Sequence, residues 1–261
     1  MPTVENHAAS IYYEVHGTEG PAIAFAHGRG GNGASWWQQV PYFAGRYRVV
    51  VFDHRGFGRS ICEPGGFDPK YFADDLAAVL DDAGIGSASL VCQSMGGVTG
   101  MGFALAHPDR TDCLVLACTS GGIVTDALAD WRKSRGSLLE NTGFSAALAP
   151  DYGEREPVMA HLYGQIRSFN TGEGPAARAR SRGSASENDP AKLAGYSTPT
   201  LIVTGETDQL FPPPLLHEVA TLIPGCEVAD IPVVGHSAYF EDAAGFNRIV
   251  GAFLDRHAGS G

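Results

Sequence analysis

Short apolar runs recur along the chain and predict the buried strands of a sheet. Most runs are four to seven residues long and nearly continuous, which is typical of parallel strands covered on both faces, while the pattern at 227–232 (EVADIP) is less clear. The runs lie at residues 23–26, 48–52, 89–92, 112–118, 200–203 and 227–232. The pattern therefore predicts a mostly parallel central sheet.

Segments with helical spacing of apolar residues separate these runs. Residues 71–83 (YFADDLAAVLDDA) carry their large apolar side chains on one helical face and most of their aspartates on the other. We predict further helices at 94–106, at 215–222 after a run of prolines, and at 240–256. Strands that alternate with helices predict a doubly wound α/β fold.

Residues 120–195 interrupt this alternation, because they hold no convincing strand pattern. Helical spacing is present at 126–138 and 157–169, and we expect mobility over 170–190. A helical cap explains the insertion better than a structureless loop, since long loops are uncommon in compact domains. The predicted organisation is a single domain over 1–261, in which the cap at 120–195 separates the core segments 1–119 and 196–261.

The charge balance narrows the classes of partner. The chain has 18 Lys and Arg residues against 29 Asp and Glu residues, a formal net charge of −11. We therefore expect a small-molecule substrate, and neither nucleic acid nor an anionic membrane surface, as the partner. The same charge would repel anionic substrates unless the site supplies its own cations. The sequence leaves the oligomeric state open.

Five cysteines, an odd number without a CxxC pair, are expected to be buried thiols and not disulfides or metal ligands. The first ten residues do not have the pattern of a signal peptide, and no apolar stretch reaches the ~18 residues of a membrane span. We therefore expect a cytoplasmic protein. Neither a phosphate-binding glycine loop nor a metal-binding motif is present, so we expect no cofactor and no metal.

Ser94 is the strongest candidate for a nucleophile. It lies directly between the predicted strand 89–92 and the predicted helix 94–106, as in the G-x-S-x-G pattern, where small residues permit a sharp turn. Gly96 fits the pattern, but Cys92 stands where the first glycine belongs. The alternative is that Ser94 is only the N-cap of the helix.

Two further polar residues complete a candidate catalytic triad. Asp208 and His236 each follow a predicted strand, so both are expected near Ser94 at the carboxyl edge of the sheet. The order Ser, Asp, His along the chain is that of the α/β-hydrolases. Glu206 is the alternative acid.

Three more segments strengthen the resemblance to this superfamily. Residues 26–31 (AHGRGG) resemble its oxyanion loop, residues 53–60 (DHRGFGRS) match its D-x-R-G-x-G-x-S segment, and residues 205–208 (GETD) match its acid loop. Over about 8–120 and 196–258, the chain resembles the capped branch of the superfamily, which contains esterases, enol-lactonases and C–C bond hydrolases. It looks most like the carboxylesterases and enol-lactonases.

The resemblance implies a role for each matching residue. Ser94 would attack a carbonyl carbon, His236 would take and return the proton, and Asp208 would orient the imidazole. The backbone N–H groups of Arg29 and Met95 would form the oxyanion hole.

Candidates for substrate binding are large side chains near the oxyanion loop and in the cap. They are Trp37, Trp131, Met159 and Tyr163, and for the three in the cap a place in a helical core is the alternative.

We therefore expect a serine hydrolase that cleaves a small or medium carboxylic ester or lactone through an acyl-enzyme. One alternative is a C–C bond hydrolase that acts on a vinylogous diketone with the same triad. The other alternative is a non-catalytic ligand-binding protein on the same fold.

Overall fold

The computed structural model of the chain describes residues 2–63, 65–134, 146–170 and 188–259. The strands in these residues are β1 (Thr3–Asn6), β2 (Ala9–His16), β3 (Ala22–Ala26), β4 (Arg48–Phe52), β5 (Ile61–Cys62), β6 (Ala88–Gln93), β7 (Thr111–Ala117), β8 (Thr200–Gly205) and β9 (Glu227–Ile231). They form one sheet in the order β1-β2-β4-β3-β6-β7-β8-β9, and β5 pairs with β2. From β4 to β9 along this order, every neighbouring pair is parallel.

The six predicted strands are present, but the sheet also contains strands that the apolar runs do not predict. Strands β1 and β2 form an antiparallel hairpin, and β2 pairs antiparallel with β4. The turn of the hairpin places His7 and Ala8 at φ values of 43° and 56°. Such a turn usually carries Asn-Gly or Asp-Gly, so the sequence lacks the usual hairpin signal.

The α-helices are α1 (Gln39–Phe43), α2 (Phe72–Asp82), α3 (Met95–Ala106), α4 (Asp126–Ser134), α5 (Tyr152–Arg155), α6 (Pro157–Ser168), α7 (Pro213–Leu222), α8 (Ala238–Glu241) and α9 (Ala243–His257). The single helix predicted at 240–256 is divided at Asp242, whose carboxylate accepts a hydrogen bond from the Gly245 N–H and caps α9. None of the helices in the described ranges combines the length and apolar character that a membrane crossing requires.

Apolar clusters cover both faces of the sheet. In β4, Val50 and Phe52 join one cluster, whereas Val49 and Val51 join the other, because successive side chains of a strand point to opposite faces. Helices α2, α3 and α7 pack on the first face, and α1 and α9 pack on the second. Burial on both faces explains the near-continuous apolar runs, and the predicted doubly wound α/β fold is confirmed.

The segment between β7 and β8 contains helices and no strand in the residues that the structure describes. Helices α4 and α6 lie where helical spacing predicts them, although residues 135–138 of the first predicted helix are outside the described ranges. The mobile segment predicted over 170–190 falls mostly on residues 171–187, which also lie outside them. The boundaries of the cap stay a prediction.

The junction between β6 and α3 depends on glycines. A Cβ atom at Gly96 would overlap the carbonyl oxygen of Ala26. Helix α3 therefore lies closer to β3 than it could if residue 96 had a side chain. A Cβ atom at Gly100 would likewise overlap the sulfur atom of Cys92. Cys92 therefore fits two residues before Ser94 because Gly100 leaves room for its thiol.

An alanine at Gly100 should destabilise the protein, because its methyl group would overlap the Cys92 sulfur. Gly102→Ala is the matched control on the same helix, since its Cβ would lie 3.6 Å from the Ala73 Cβ, an ordinary contact. We expect the free energy of unfolding of Gly100→Ala, measured by urea denaturation, to be about 1–3 kcal/mol lower than that of Gly102→Ala. Equal stability of the two variants would contradict this packing.

Candidate active site

Ser94 sits in a strained turn at the carboxyl end of β6. Its backbone has φ 50° and ψ −115°, a region that residues other than glycine rarely adopt. Holding such a conformation costs about 1–3 kcal/mol. The Ser94 side chain makes no capping hydrogen bond to α3, so the N-cap alternative does not explain it. The hydroxyl is instead directed to a histidine.

Asp208, His236 and Ser94 form a continuous line of hydrogen bonds. His236 Nε2 lies 2.8 Å from Ser94 Oγ, and His236 Nδ1 lies 2.8 Å from Asp208 Oδ2. The other carboxylate oxygen of Asp208 accepts hydrogen bonds from the backbone N–H groups of Leu210 and Phe211. Because a carboxylate only accepts, Nδ1 carries the proton and Nε2 is left to accept the Ser94 proton. The structure thus brings the three predicted residues together.

Glu206, the alternative acid, has a different partner. Its Oε2 accepts a hydrogen bond from the Val233 N–H at 2.9 Å. Val233 begins the segment 233–237, here called the histidine loop. Glu206 thus holds the start of this loop, whereas Asp208 contacts the imidazole of His236 itself.

The histidine loop is fixed by two residues that the sequence analysis missed. Gln93 Nε2 donates to the backbone carbonyl of His236 at 2.9 Å. The two carboxylate oxygens of Glu241 accept from the N–H groups of Gly235 and Ala149, at 3.1 and 3.0 Å. Burial raises the pKa of Glu241. The position of Gln93 next to Ser94 was the one available signal, while nothing in the pattern marks Glu241.

The predicted oxyanion loop, residues 26–31, packs directly against the candidate nucleophile. A Cβ atom at Gly28 would overlap the Gln93 side chain and lie 3.0 Å from the Ser94 Cβ. His27 Nδ1 donates to the Gly28 carbonyl at 2.8 Å, and its Nε2 accepts from the His54 N–H at 2.9 Å. Burial lowers the pKa of His27, so the ring stays neutral and can make both bonds. Arg29 follows Gly28 along this loop.

Helix α6 of the predicted cap is bound to the oxyanion loop and its surroundings. The Asn32 side chain donates to the Ile166 carbonyl at 2.8 Å. Asn170 donates to the Gly30 carbonyl and accepts from the Gly58 N–H, both at 2.7 Å. The end of α6 therefore has a defined position relative to the loop.

Tyr163 and Trp131 pack in the apolar clusters on opposite faces of the sheet. The Tyr163 hydroxyl lies 2.9 Å from Ser237 Oγ, one residue beyond His236. Trp131 packs against the same apolar cluster as Met95 and Phe211, and the Phe211 ring stacks on His236 with centroids 5.8 Å apart. These placements leave both residues as candidates for substrate contact.

Trp37 and Met159 are placed differently. Trp37 is 43% exposed and lines a cavity of about 520 Å³ together with Glu14, Arg59 and Phe169, and none of the triad residues lines that cavity. Met159 packs, partly buried, against the second apolar cluster. Trp36, the neighbour of Trp37, is fully buried.

Arg167 on α6 is a further residue that the sequence analysis missed. Its Nη1 donates to the Tyr163 hydroxyl at 3.2 Å. The available signal was spacing, because residues four apart on a helix share a face and Tyr163 was already a candidate.

In the described ranges, one group of side chains has the spacing of a metal site. Ligand atoms of Cys118, Asp208 and His236 lie within 4.8 Å of one another. The hydrogen bond between Asp208 and His236 accounts for the proximity of two of these groups. Burial and the nearby Asp208 carboxylate raise the pKa of the Cys118 thiol.

Known proteins resemble the chain in sequence and in structure. A family model described as the alpha/beta hydrolase fold matches residues 21–142. RutD of Serratia proteamaculans, a protein named as a carbamate hydrolase, is 29% identical over an aligned length of 259 residues that covers 94% of this chain and 96% of that protein.

Two solved structures superpose over nearly the whole chain. Est816, described as an N-acyl homoserine lactone degrading enzyme, is 29% identical, with a TM-score of 0.80 over 97% of this chain and 100% of its own. The enol-lactonase of Burkholderia xenovorans LB400, 24% identical with a TM-score of 0.82 over 97% and 100% of the two chains, shares the fold. With this sheet order and these similarities, the chain has the α/β-hydrolase fold and is a hydrolase.

Proposed function

We propose that the protein is a serine hydrolase that cleaves a small or medium carboxylic ester or lactone through an acyl-enzyme. The observation that carries this proposal is the line of hydrogen bonds from Asp208 through His236 to Ser94, each 2.8 Å long. A nucleophile bonded to a base that is itself oriented by a third group is the arrangement for covalent catalysis.

In the first step, Ser94 Oγ attacks the carbonyl carbon while its proton passes to His236 Nε2. Asp208 stabilises the imidazolium that forms and does not take the proton itself. Collapse of the tetrahedral intermediate breaks the bond to the leaving oxygen, which receives the proton from Nε2. Water then gives a proton to Nε2 and attacks the acyl-enzyme, and His236 returns that proton to Ser94 Oγ as the acid is released.

The backbone N–H groups of Arg29 and Met95 are proposed to stabilise the oxyanion. Met95 begins helix α3, where N–H groups have no partner within the helix and the helix dipole favours negative charge. Gly28 packs against Ser94. The next residue of the loop, Arg29, therefore lies close to the substrate carbonyl that Ser94 would attack. Each such donor is worth about 10²–10³ in rate.

The names of the relatives support a substrate with a carbonyl carbon that a serine nucleophile can attack. One is named for carbamate hydrolysis and the other for degradation of a lactone. Carbamates, lactones and esters all present a carbonyl carbon to a serine nucleophile. A carbamate therefore belongs beside esters and lactones in a substrate panel.

Replacement of the nucleophile tests the mechanism directly. We expect Ser94→Ala to lower kcat for a short-chain p-nitrophenyl ester by roughly 10⁴–10⁶, with an unchanged circular dichroism spectrum, and to abolish labelling by a fluorophosphonate probe. Ser120→Ala is the matched control, because it removes a hydroxyl from a serine that follows β7, the strand next to β6, at the same edge of the sheet. Turnover by Ser94→Ala at the wild-type rate would refute the mechanism.

The identity of the acid is tested by a second pair of variants. Asp208→Asn should lower kcat by about 10⁴, because an amide that donates to Nδ1 selects the wrong imidazole tautomer. Glu206→Gln should change kcat less than about threefold, since Glu206 bonds the Val233 N–H, which an amide oxygen can still accept. If Glu206→Gln caused the larger loss in steady-state assays, the assignment of the acid would be wrong.

A further inference from the structure

The guanidinium of Arg167 lies against the oxyanion loop. A Cβ atom at Gly30 would overlap Arg167 Nη2 and lie 2.7 Å from its Cζ. Gly30 has a φ of 80°, which glycine adopts without strain, and its missing side chain leaves the space that the guanidinium fills. A positive charge is therefore in contact with the residue that follows Arg29.

The same guanidinium is also linked to the histidine loop. Arg167 Nη1 donates to the Tyr163 hydroxyl at 3.2 Å, and that hydroxyl lies 2.9 Å from Ser237 Oγ. Ser237 directly follows His236. The charge consequently lies between the two loops that flank the proposed reaction centre.

The fold holds this charge in place before any substrate binds. The carbonyl of Ile166, next to Arg167, accepts from Asn32, and Asn170 donates to the Gly30 carbonyl. A cation positioned in this way loses little conformational freedom when an anion binds to it. Its field reaches the interior as well, because the positive charge of Arg167 helps to lower the pKa of His27.

The position of the charge indicates which part of a substrate it meets. The leaving group must lie at His236 Nε2, which faces Ser94 and supplies the proton. Arg167 instead contacts the oxyanion loop, which receives the carbonyl oxygen of the acyl portion. An anionic group attached to the acyl portion would therefore come within reach of the guanidinium.

We propose that Arg167 is a specificity-determining residue that selects esters or lactones whose acyl portion carries a carboxylate. A guanidinium binds a carboxylate through two parallel hydrogen bonds, which combine charge with directional recognition. This inference rests on the proposed esterase function, and it resolves the conflict between an acidic chain and an acidic substrate. The net charge of −11 disfavours anions in general, so an anionic substrate needs a local cation.

A matched pair of substrates isolates the carboxylate. 4-Nitrophenyl hydrogen glutarate and 4-nitrophenyl methyl glutarate have the same leaving group and the same five-carbon acyl chain, and they differ in whether that chain ends in a carboxylate or in its uncharged methyl ester. We expect wild-type kcat/KM to favour the acid, and Arg167→Gln to lower kcat/KM for the acid by about 10- to 100-fold. The methyl ester should change less than about threefold, and Arg167→Lys should retain part of the preference for the acid.

Arg46→Gln is the control variant, because Arg46 is an exposed arginine that bonds Asp255 and precedes β4 at the amino edge of the sheet, opposite the site. It should leave both substrates unaffected. An equal loss for both substrates in Arg167→Gln would mean that Arg167 only positions the loops, and no loss for either would mean that it does not contact substrate. Either result overturns the proposal, as does a wild-type enzyme without preference for the acid.

Binding measurements separate this proposal from the proposed function. Calorimetric titration of Ser94→Ala with glutarate requires no turnover, and we expect binding that weakens about 10- to 100-fold when Arg167→Gln is added. If glutarate binds in this way but neither ester is cleaved by the wild type, the esterase function fails while the anion site stands. If the methyl ester is cleaved but glutarate binds equally well with and without Arg167, the anion site fails alone.

Discussion

The strained turn at Ser94 is the constraint on which the rest of the site depends. A φ of 50° at a residue with a side chain is held only because β6 and α3 are fixed on both sides of it. The Ser94 N–H donates to the Ala117 carbonyl on the neighbouring strand, and Gly96 lets α3 approach the Ala26 carbonyl. The strain, about 1–3 kcal/mol, is small beside the burial of a central strand and its helix. This conformation directs the Ser94 hydroxyl away from its own helix and places its Oγ 2.8 Å from His236 Nε2.

Gln93, the residue before this turn, ties together the two loops on either side. Its amide nitrogen donates to the His236 carbonyl, and its amide oxygen lies where a side chain at Gly28 would be. The oxyanion loop and the histidine loop are thus positioned by one side chain of the same strand end that positions Ser94. Helix α6 adds a second link between them through Asn170 and Tyr163. The position of α6 and the geometry of the candidate reaction centre are therefore not independent.

Much of the fold could be predicted because its strands are buried on both faces. Ser94 follows such a strand, and so its position at the carboxyl edge could be read from the apolar runs alone, as could that of Asp208. Strands β1 and β2 were not predicted, since an alternating, partly exposed hairpin leaves no continuous apolar run. Cys92 looked like a departure from the nucleophile pattern, and the compensating Gly100 lies eight residues away on the facing helix.

The contacts that shape the substrate site could not be predicted, because they join residues far apart in the chain. Asn32 and Ile166 are 134 positions apart, and Gln93 and His236 are 143 apart. A local pattern carries no information about such pairs. Trp37 illustrates the same limit: it and Trp36 are adjacent aromatic residues, yet one is fully buried and the other faces a separate cavity. Which of the two tryptophans is buried depends on the conformation of the turn that follows the oxyanion loop.

Two electrostatic effects of different range act on an anionic substrate. The net charge of −11 acts over the whole surface, but salt screens it within about 8–10 Å under physiological conditions. A guanidinium held against Gly30 acts at contact distance, and its partial burial protects it from that screening. The first effect slows the approach of any anion. In the proposed arrangement, the second effect stabilises only a bound anion whose carbonyl group already lies at Ser94. An acidic protein with a cation held against its proposed oxyanion loop can therefore discriminate between anions by where their charge lies relative to the scissile bond.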